Sequence, residues 1–343
     1  MAELKPTYGN FSLRGQVVWK DRQNAYVEDV TSSGLEYRRI RFGVKTSEKN
    51  IVQVELFGAK FDEVTLQHIE SKKRDKKVKY GEHYDLPEGY QLFMPVRIGL
   101  EQDENGNNIK KEMISYDAVK YINDNLKDGD TVFVFGSLRF SEYVNRNGET
   151  IPQVTFEIRG IYHTSIKYDD EEFEGQSIFD QQIILKSTQK KDNRLIVNSY
   201  IVTDNKGNFT THNFYIDIDK YKKFARNVHT KLKFGTILNV EGYIHHTVEE
   251  KEVETDDAWG ESVKPKVITN IIKELEITAA QKPSQEDIGY YKEEDFVKQD
   301  ETEDNPFADD SKDDDNDWGD SPDSLDNVDF DDDPFNSDDD PFA

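Results

Sequence analysis

The sequence predicts an all-β protein: two modules of about five strands each, followed by an acidic segment without a fold of its own. Short runs of alternating or β-branched residues, separated by turn residues, recur along the body of the chain. The charge is uneven, because Pro283–Ala343 holds 25 acidic and 3 basic residues, whereas Met1–Lys282 holds 45 and 41. The net charge is therefore −22 (3 − 25) at the end and −4 (41 − 45) in the body. An acidic, low-complexity segment of this kind is predicted to be disordered.

Ten segments of the body have the pattern of strands, and they fall into two sets of five. The first set is Leu13–Trp19, Tyr37–Thr46, Ile51–Phe57, Thr131–Phe140 and Gln153–Tyr162. The second set is Phe179–Lys186, Leu195–Thr203, Asn213–Ile218, Thr236–His245 and Lys266–Ile277. Amphipathic helical segments are few, so the class is all-β rather than α/β.

The two sets resemble each other. Val52–Leu56 is answered by Phe214–Ile218, and Leu126–Gly136 is answered by Leu232–Gly242. A short helix candidate lies between the third and fourth strands of each set, which is the plan of a five-stranded OB barrel. We therefore predict two tandem OB-fold barrels. The predicted domains are 1–168 with a basic insertion near 62–115, an acidic linker at 169–176, a second barrel at 177–282 and a disordered acidic tail at 283–343.

Several classes of function are disfavoured by the sequence. There is no cysteine, which excludes disulfides and thiolate metal sites. No signal peptide or apolar run of membrane length is visible, so we expect a cytoplasmic protein, in the host cytoplasm if it is viral, with no membrane partner. The motifs G-x-x-x-x-G-K-S/T, G-x-S-x-G and H-E-x-x-H are absent. We therefore expect no enzyme, no catalytic residue, no cofactor, no metal and no small-molecule substrate.

One predicted β-strand has the side chains that binding of single-stranded nucleic acid requires. Alternation over Tyr37–Lys45 places Ile40, Phe42 and Val44 on one face. Cations for phosphates and flat side chains for bases are what such binding needs, and the opposite face holds both: Tyr37, Arg39, Arg41 and Lys45. Trp19 and the outward Phe57 extend this stripe. An ordinary solvated face remains the alternative, and Trp19 fits the rim of the core equally well.

Further binding candidates lie elsewhere in the body. The insertion carries a run of cations that could clamp the nucleic-acid strand; the alternative is a solvated, mobile loop. These cations are Lys72, Lys73, Arg74, Lys76 and Lys77. The second module offers Tyr200, Tyr215, Lys222 and Lys223. Trp259 is a weaker candidate, because the acidic residues around it repel phosphates.

Two segments carry a resemblance to a known family. Val54–Gly58 and Gly129–Arg139 resemble the third and fourth strands of the bacterial single-stranded DNA-binding proteins, and the acidic end with its Pro-Phe resembles their tail. A tandem-barrel, bacteriophage-type member is the best match. The resemblance implies a role in DNA replication, recombination and repair, and it places Tyr143 where the family has a base-stacking tryptophan, flanked by Arg139 and Arg146. The second barrel, the basic insertion and the alanine after the last Phe depart from the family.

The acidic segment differs from a plain solubility tail. Pro-Phe recurs three times within acidic surroundings. An exposed Phe can fill an apolar pocket while aspartates meet a basic rim. We therefore expect replication or recombination enzymes to dock on the tail, through Phe307, Phe335, Asp338, Asp339, Asp340, Pro341 and Phe342. Two other functions stay open: an RNA-binding OB protein or RNA chaperone, and a DNA-mimic inhibitor whose acidic tail occupies a basic enzyme surface.

Overall fold

A computed structural model describes residues 2–31, 33–144, 148, 150–253 and 266–296. Over these residues the chain is mostly β, with sixteen strands, two α-helices and two 3-10 turns at Glu82–Tyr84 and Glu293–Asp295. The all-β prediction is confirmed. Within the same residues, no helix is long and apolar enough to span a membrane.

In the described part of the N-terminal half there are eleven strands and one α-helix. Their bounds are β1 (Gly9–Val18), β2 (Tyr26–Val30), β3 (Glu36–Ser47), β4 (Asn50–Ala59), β5 (Glu63–His68), β6 (Lys76–Lys79), β7 (Tyr90–Leu92), β8 (Val96–Gln102), β9 (Asn108–Met113), α1 (Ser115–Asn125), β10 (Thr131–Val144) and β11 (Thr150–His163). The C-terminal half contains β12 (Gln176–Lys191), β13 (Arg194–Val202), β14 (Phe209–Asp217), α2 (Lys222–Lys231), β15 (Ile237–Val253) and β16 (Lys266–Ala280).

Five strands of the N-terminal half close on themselves, and we call them the first ring. β1 pairs with β3, β3 with β4, β10 with β11, and β10 with β1, all antiparallel. The ring is closed by a parallel contact between β4 and β11, where Glu55 and Glu157 are partners. Every second residue along these strands points into the ring. These inward residues are apolar and many are β-branched, so they fill the interior. Examples that are fully buried are Leu13, Ile40, Val54, Val134 and Ile158.

The C-terminal half forms a second ring with the same connectivity. β12 pairs with β13, β13 with β14, β15 with β16, and β15 with β12. A parallel contact between Tyr215 on β14 and Glu276 on β16 closes this ring. In both rings the α-helix directly precedes the fourth strand, which is β10 in the first ring and β15 in the second. The repeat that the sequence shows is therefore a repeat of strand pairing.

Both rings bulge at equivalent glycines. The register of the fourth strand against the fifth shifts immediately before Gly136 in the first ring and before Gly242 in the second. A Cβ atom would overlap the carbonyl oxygen of Glu157 in the first case and of Glu276 in the second. Only glycine allows this approach of two backbones. The matching glycines of the two sequence repeats thus mark one structural position.

The two rings are joined by direct pairing of a strand of the first ring with a strand of the second. β1 pairs antiparallel with β12 from Gly9–Gln181 to Arg14–Gln176. All main strands consequently belong to one sheet of thirteen strands. Asn50 adds a side-chain link, because its Nδ2 donates to the carbonyl oxygen of Ile244 (3.0 Å) and its Oδ1 accepts from the backbone N–H of His246 (2.7 Å).

The insertion has secondary structure of its own. β6, β5 and β7 form a three-stranded sheet over a small core of Val64, Leu66 and Leu92. β8 pairs with β11 and carries β9 at the edge of the main sheet. Part of the basic run, Lys76–Lys79, is the strand β6, so a mobile loop is not the conformation of that part.

The start of the predicted tail is packed, which corrects the boundary at Pro283. Tyr291 is 3% exposed and lies in a cluster with Ile184 and Val202 of the second ring. The backbone N–H of Ala2 donates to Asp295 Oδ1 at 2.6 Å, so the two ends of the described chain meet there. The prediction of disorder is therefore wrong for 283–296, because aromatic side chains in this acidic stretch bury apolar surface.

Candidate nucleic-acid interface

The outer face of β3 is built as the alternation predicts. Ile40, Phe42 and Val44 are at most 1% exposed in the core. On the opposite face, Gly43 leaves room for the indole of Trp19, since a Cβ there would lie 2.7 Å from Cε3 of Trp19. Trp19 is half-buried and lies on the outside of the first ring, beside the predicted stripe.

A cation accompanies this indole. The guanidinium carbon of Arg22 lies 5.1 Å from the centroid of the Trp19 ring. The turn after β1 brings them together, with Trp19 in the left-handed region at φ 65°. Sequence reasoning missed Arg22, because only the turn geometry shows that a residue three positions on returns over the indole.

Two residues of the stripe are less open than expected. Tyr37 is 6% exposed and stacks on Phe57, with ring centroids 5.6 Å apart. Burial raises the pKa of Tyr37. Arg39 is 4% exposed. Both side chains lie on the predicted face but are largely buried, whereas the half-buried Phe57 beside Tyr37 is more exposed. Whether any of them contacts DNA stays a prediction.

The middle of the outer face is a network of guanidinium and carboxylate groups. Arg41 pairs with Glu55, whose side chain is 9% exposed. Glu157, the strand partner of Glu55, accepts contacts from Arg159 at 3.2 Å and from Arg139 at 3.5 Å. Three cations thus face two carboxylates, and Arg139 keeps half of its side chain exposed. The surplus charge can meet a phosphate.

The last cation of the stripe is held in place by neighbours. Lys45 Nζ lies 3.2 Å from a carboxylate oxygen of Glu48 and 5.5 Å from the ring centroid of Tyr168. An exposed ion pair of this kind contributes little to stability. Lys45 can therefore exchange Glu48 for a phosphate at small cost.

The hairpin that leaves β10 exposes the predicted stacking residue. Tyr143 pairs with Ile151 across the hairpin and is 40% exposed. Arg139 precedes it on the same strand, whereas Arg146 lies outside the described residues. Arg139 and Tyr143 thus both have exposed side chains on β10, four residues apart, and the ring of Tyr143 can take a base.

The insertion presents its cations beside aromatic rings. Arg74 lies over Phe93 at 4.1 Å, and Lys76 lies over Tyr90 at 4.8 Å. Lys77 contacts Glu63 at 3.3 Å. The remaining predicted cations, Lys72 and Lys73, are exposed at the turn before β6. Cation and flat ring occur together here, as single-strand binding requires.

The candidates of the second ring are spread apart. Tyr215 is 8% exposed beneath Arg194, whose guanidinium carbon is 4.4 Å from the ring centroid. Burial raises the pKa of Tyr215, and the charge of Glu276 adds to this. Lys222 and Lys223 are exposed in the first turn of α2. Tyr200 is covered by Phe296, with centroids 4.0 Å apart.

An aromatic row on the outer face of β10 and β11 escaped the sequence analysis. Phe133 and Phe135 are half-buried opposite the core residues Val132 and Val134. Phe135 stacks almost parallel on Tyr162, with centroids 6.1 Å apart and 9° between the planes. Alternation along β10 was the signal that could have identified this row.

The proposed partner-binding residues Phe307, Phe335, Asp338, Asp339, Asp340, Pro341 and Phe342 lie outside the described residues, as does Trp259. The protein is therefore of the all-β class, and its sheet contains two five-stranded rings that carry aromatic and basic residues on their outer faces. The model of the YorF family matches residues 10–314, and the chain belongs to the YorF family. No curated protein sequence matches it.

Solved structures with a similar course of the chain include the single-stranded DNA binding protein of Thermus aquaticus. The wild-type structure has 10% identity and a TM-score of 0.37, and the match covers 82% of this chain and 95% of that one. A deletion mutant of the same protein has 11% identity and a TM-score of 0.36, with 83% and 97% covered. Likeness at this level carries no argument about function.

Proposed function

We propose that this chain is a non-catalytic, sequence-independent single-stranded DNA-binding protein. The observation that carries the proposal is the outer face of the first ring. There the indole of Trp19 lies over Gly43 with Arg22 beside its ring, and farther along the same face of β3 and β4 lie the cation Arg41 and the half-buried ring of Phe57. Aromatic platforms and cations on one face are what a single strand needs, because its bases stack and its phosphates pair with charge.

The ring connectivity supports this assignment. We propose that each ring is an OB-type barrel, since five strands close with the first strand between the second and fourth and with a helix before the fourth. In OB barrels the second and third strands form the face that binds nucleic acids. β3 and β4 are those strands in the first ring, and they carry the aromatic–basic stripe.

The proposed biological role combines coating and recruitment. Two barrels on one chain would cover a longer strand than one, protecting it during replication, recombination or repair. The Pro-Phe sites of the acidic tail would dock partner enzymes, as the resemblance to the bacterial single-stranded DNA-binding proteins implies. We place this activity in the cytoplasm, or in the host cytoplasm for a protein of a bacteriophage.

The test is filter binding of the full chain to single-stranded DNA, single-stranded RNA and duplex DNA in parallel, over a range of salt. We expect tight binding to single-stranded DNA, weak binding to duplex, and affinity that falls steeply with salt. Preference for RNA would support the RNA-binding alternative. Binding to none of the three would refute the proposal and favour the DNA-mimic inhibitor.

A further inference from the structure

A cavity of about 340 Å³ lies where the two rings meet. This volume is at the lower end of the roughly 300–1,000 Å³ of small-molecule sites. One wall belongs to the β10–β11 hairpin of the first ring, and the others belong to the second ring and to the segment that follows it. The lining includes Glu142, Pro152, Lys186, Tyr200, Phe209 and Phe296.

The aromatic side of the cavity is centred on Tyr200. Phe296 lies parallel to it, with ring centroids 4.0 Å apart and 8° between the planes. Phe209 meets Tyr200 edge-on at 5.3 Å. Lys186 Nζ lies 4.9 Å from the centroid of the Tyr200 ring. Flat rings for a base and an exposed cation for its phosphate therefore meet in one place.

The opposite side is held rigidly. Glu142 accepts hydrogen bonds from the Thr210 hydroxyl (2.6 Å) and from the Thr211 backbone N–H (2.9 Å). These bonds pin the hairpin of the first ring to β14 of the second and direct the Glu142 charge toward protein donors. The cavity walls are thus set before any ligand arrives, which lowers the entropic cost of binding.

We propose that this cavity is a nucleobase subsite, where a single strand crossing from the first ring to the second inserts one base. The base stacks against the aromatic side, Lys186 meets the adjoining phosphate, and Pro152 closes the side of the first ring. This inference rests on the proposed function. It assigns a binding role to Phe296, which belongs to a segment that the sequence predicts to be tail.

Photo-crosslinking locates the base directly. The full chain is irradiated with a single-stranded oligonucleotide that carries 5-iodouracil, and the modified residue is identified by mass spectrometry. We expect crosslinks at Tyr200, Phe209 or Phe296. Phe296→Ala should weaken binding by about 5- to 150-fold, the loss that corresponds to ~1–3 kcal/mol per stacked base. Tyr200→Ala should also weaken binding, because it removes the ring on which Phe296 is stacked. Tyr200→Trp should retain most of the affinity.

Matched variants separate stacking and charge from general effects. Tyr290→Ala removes an aromatic ring of the same segment that is 47% exposed and does not line the cavity, and it should bind as the wild type does. Lys186→Gln should weaken binding and make its salt dependence shallower, whereas Lys190→Gln, farther along β12, should do neither. If Phe296→Ala lowers the melting temperature, Phe296→Leu keeps the apolar contact and removes the stacking surface.

The outcomes distinguish this inference from the proposed function. If Trp19→Ala weakens binding while the Tyr200 and Phe296 variants bind like the wild type and no crosslink maps to the cavity, the subsite is refuted and the function stands. If the full chain binds no single strand, both fail. If Phe296→Ala binds more tightly than the wild type, Phe296 blocks Tyr200 rather than completing a site, and the inference is overturned.

Discussion

The indole of Trp19 occupies the space that a side chain at position 43 would fill, and Gly43 leaves that space open. A Cβ atom on Gly43 would lie 2.7 Å from Cε3 of Trp19 and 2.8 Å from methyl carbons of Val18 and Ile51. One edge of the indole therefore lies over the backbone of Gly43, close to the side chains of Val18 and Ile51, while Trp19 as a whole remains half-buried. A platform held in this way gives up little conformational entropy when a base stacks on it.

The first prediction concerns this platform. Trp19→Ala should weaken binding to single-stranded DNA by about 1–3 kcal/mol, because one stacked base loses its partner. We expect DNA to quench the tryptophan fluorescence of the wild type, and Trp19→Phe should lose that quenching while keeping most of the affinity. Trp318→Phe, far along the sequence, should keep that quenching. Quenching that survives in Trp19→Phe and disappears in Trp318→Phe would place the platform elsewhere.

The second prediction uses the pair of Arg41 and Glu55. Arg41→Gln should weaken binding and make the salt slope shallower by roughly 0.7, the value for one lost phosphate contact with a single strand. Glu55→Gln should act in the opposite direction, because it releases Arg41 from its carboxylate. Affinity measured at several salt concentrations checks both. Equal slopes for the wild type and both variants would show that Arg41 serves only the sheet.

The third prediction concerns the hairpin of the first ring. Tyr143→Ala should weaken binding by about 1–3 kcal/mol without changing the melting temperature, because an exposed ring contributes stacking rather than core packing. Tyr143→Phe and Tyr143→Trp should retain most of the affinity. A lower melting temperature with unchanged affinity would instead identify Tyr143 as a packing residue.

Local patterns predicted the strands well and the burial of single side chains less well. Alternation along β3 correctly separated Ile40, Phe42 and Val44 from the outer face. The burial of Tyr37 and Arg39 depends on residues from other strands, such as Phe57, and a pattern within one strand carries no information about them. The repeat was visible because both copies need a glycine where the fourth strand bulges, at Gly136 and Gly242.

Non-local and short elements were missed for identifiable reasons. The pairing of β1 with β12 joins residues far apart in sequence, and no local signal marks it. The strand β6 is four residues long and mostly lysine, so its sequence lacks the alternation of apolar and polar residues that predicts a strand. Packing of 283–296 was hidden by acidic composition, although Tyr291 and Phe296 offered an apolar signal within it.

The fourth prediction is a dependence of stability on pH. His246 is 5% exposed beside Phe156, and burial, together with the charges of Lys273 and His245, lowers its pKa to about 3. Burial alone lowers the pKa of His212 to about 4. Both stay neutral in the folded protein but gain a proton in the unfolded chain below its ordinary pKa of roughly 6.5. Their contribution to stability is therefore complete above that pH and is lost as pH falls toward the folded pKa values.

Each buried histidine should lower the free energy of unfolding by about 1.4 kcal/mol per pH unit through this window. Thermal melts from pH 7 to pH 4 test this, and His246→Leu should show a shallower decline than the wild type. His229→Asn, at an exposed site on α2, serves as the control. A decline of the same steepness in His246→Leu would mean that His246 is not kept neutral by the fold.

The last prediction separates two parts of the acidic end. Residues 297–343 hold 20 acidic and 2 basic residues, a net charge of −18 (2 − 20), whereas 283–296 packs on the second ring. Cations of the binding face attract acidic residues as they attract phosphates, and salt screens both contacts. Deleting 297–343 should therefore raise the affinity for single strands at low salt, with the gain fading as salt rises. Deleting 283–343 should show less gain, because it also removes Tyr291 and Phe296 from the second ring.

Deletion of 297–343 also tests partner docking. A pulldown from cell lysate compares the full chain, the 297–343 deletion and the variant Phe307→Ala, Phe335→Ala, Phe342→Ala. The triple variant keeps every charge but loses the three phenylalanine rings, so it should lose the partners. Its acidic end should still compete with DNA for the cations of the binding face, as that of the full chain does. If it retains all partners of the full chain, the Pro-Phe sites are not what is recognised, and the acidic end acts through its charge alone.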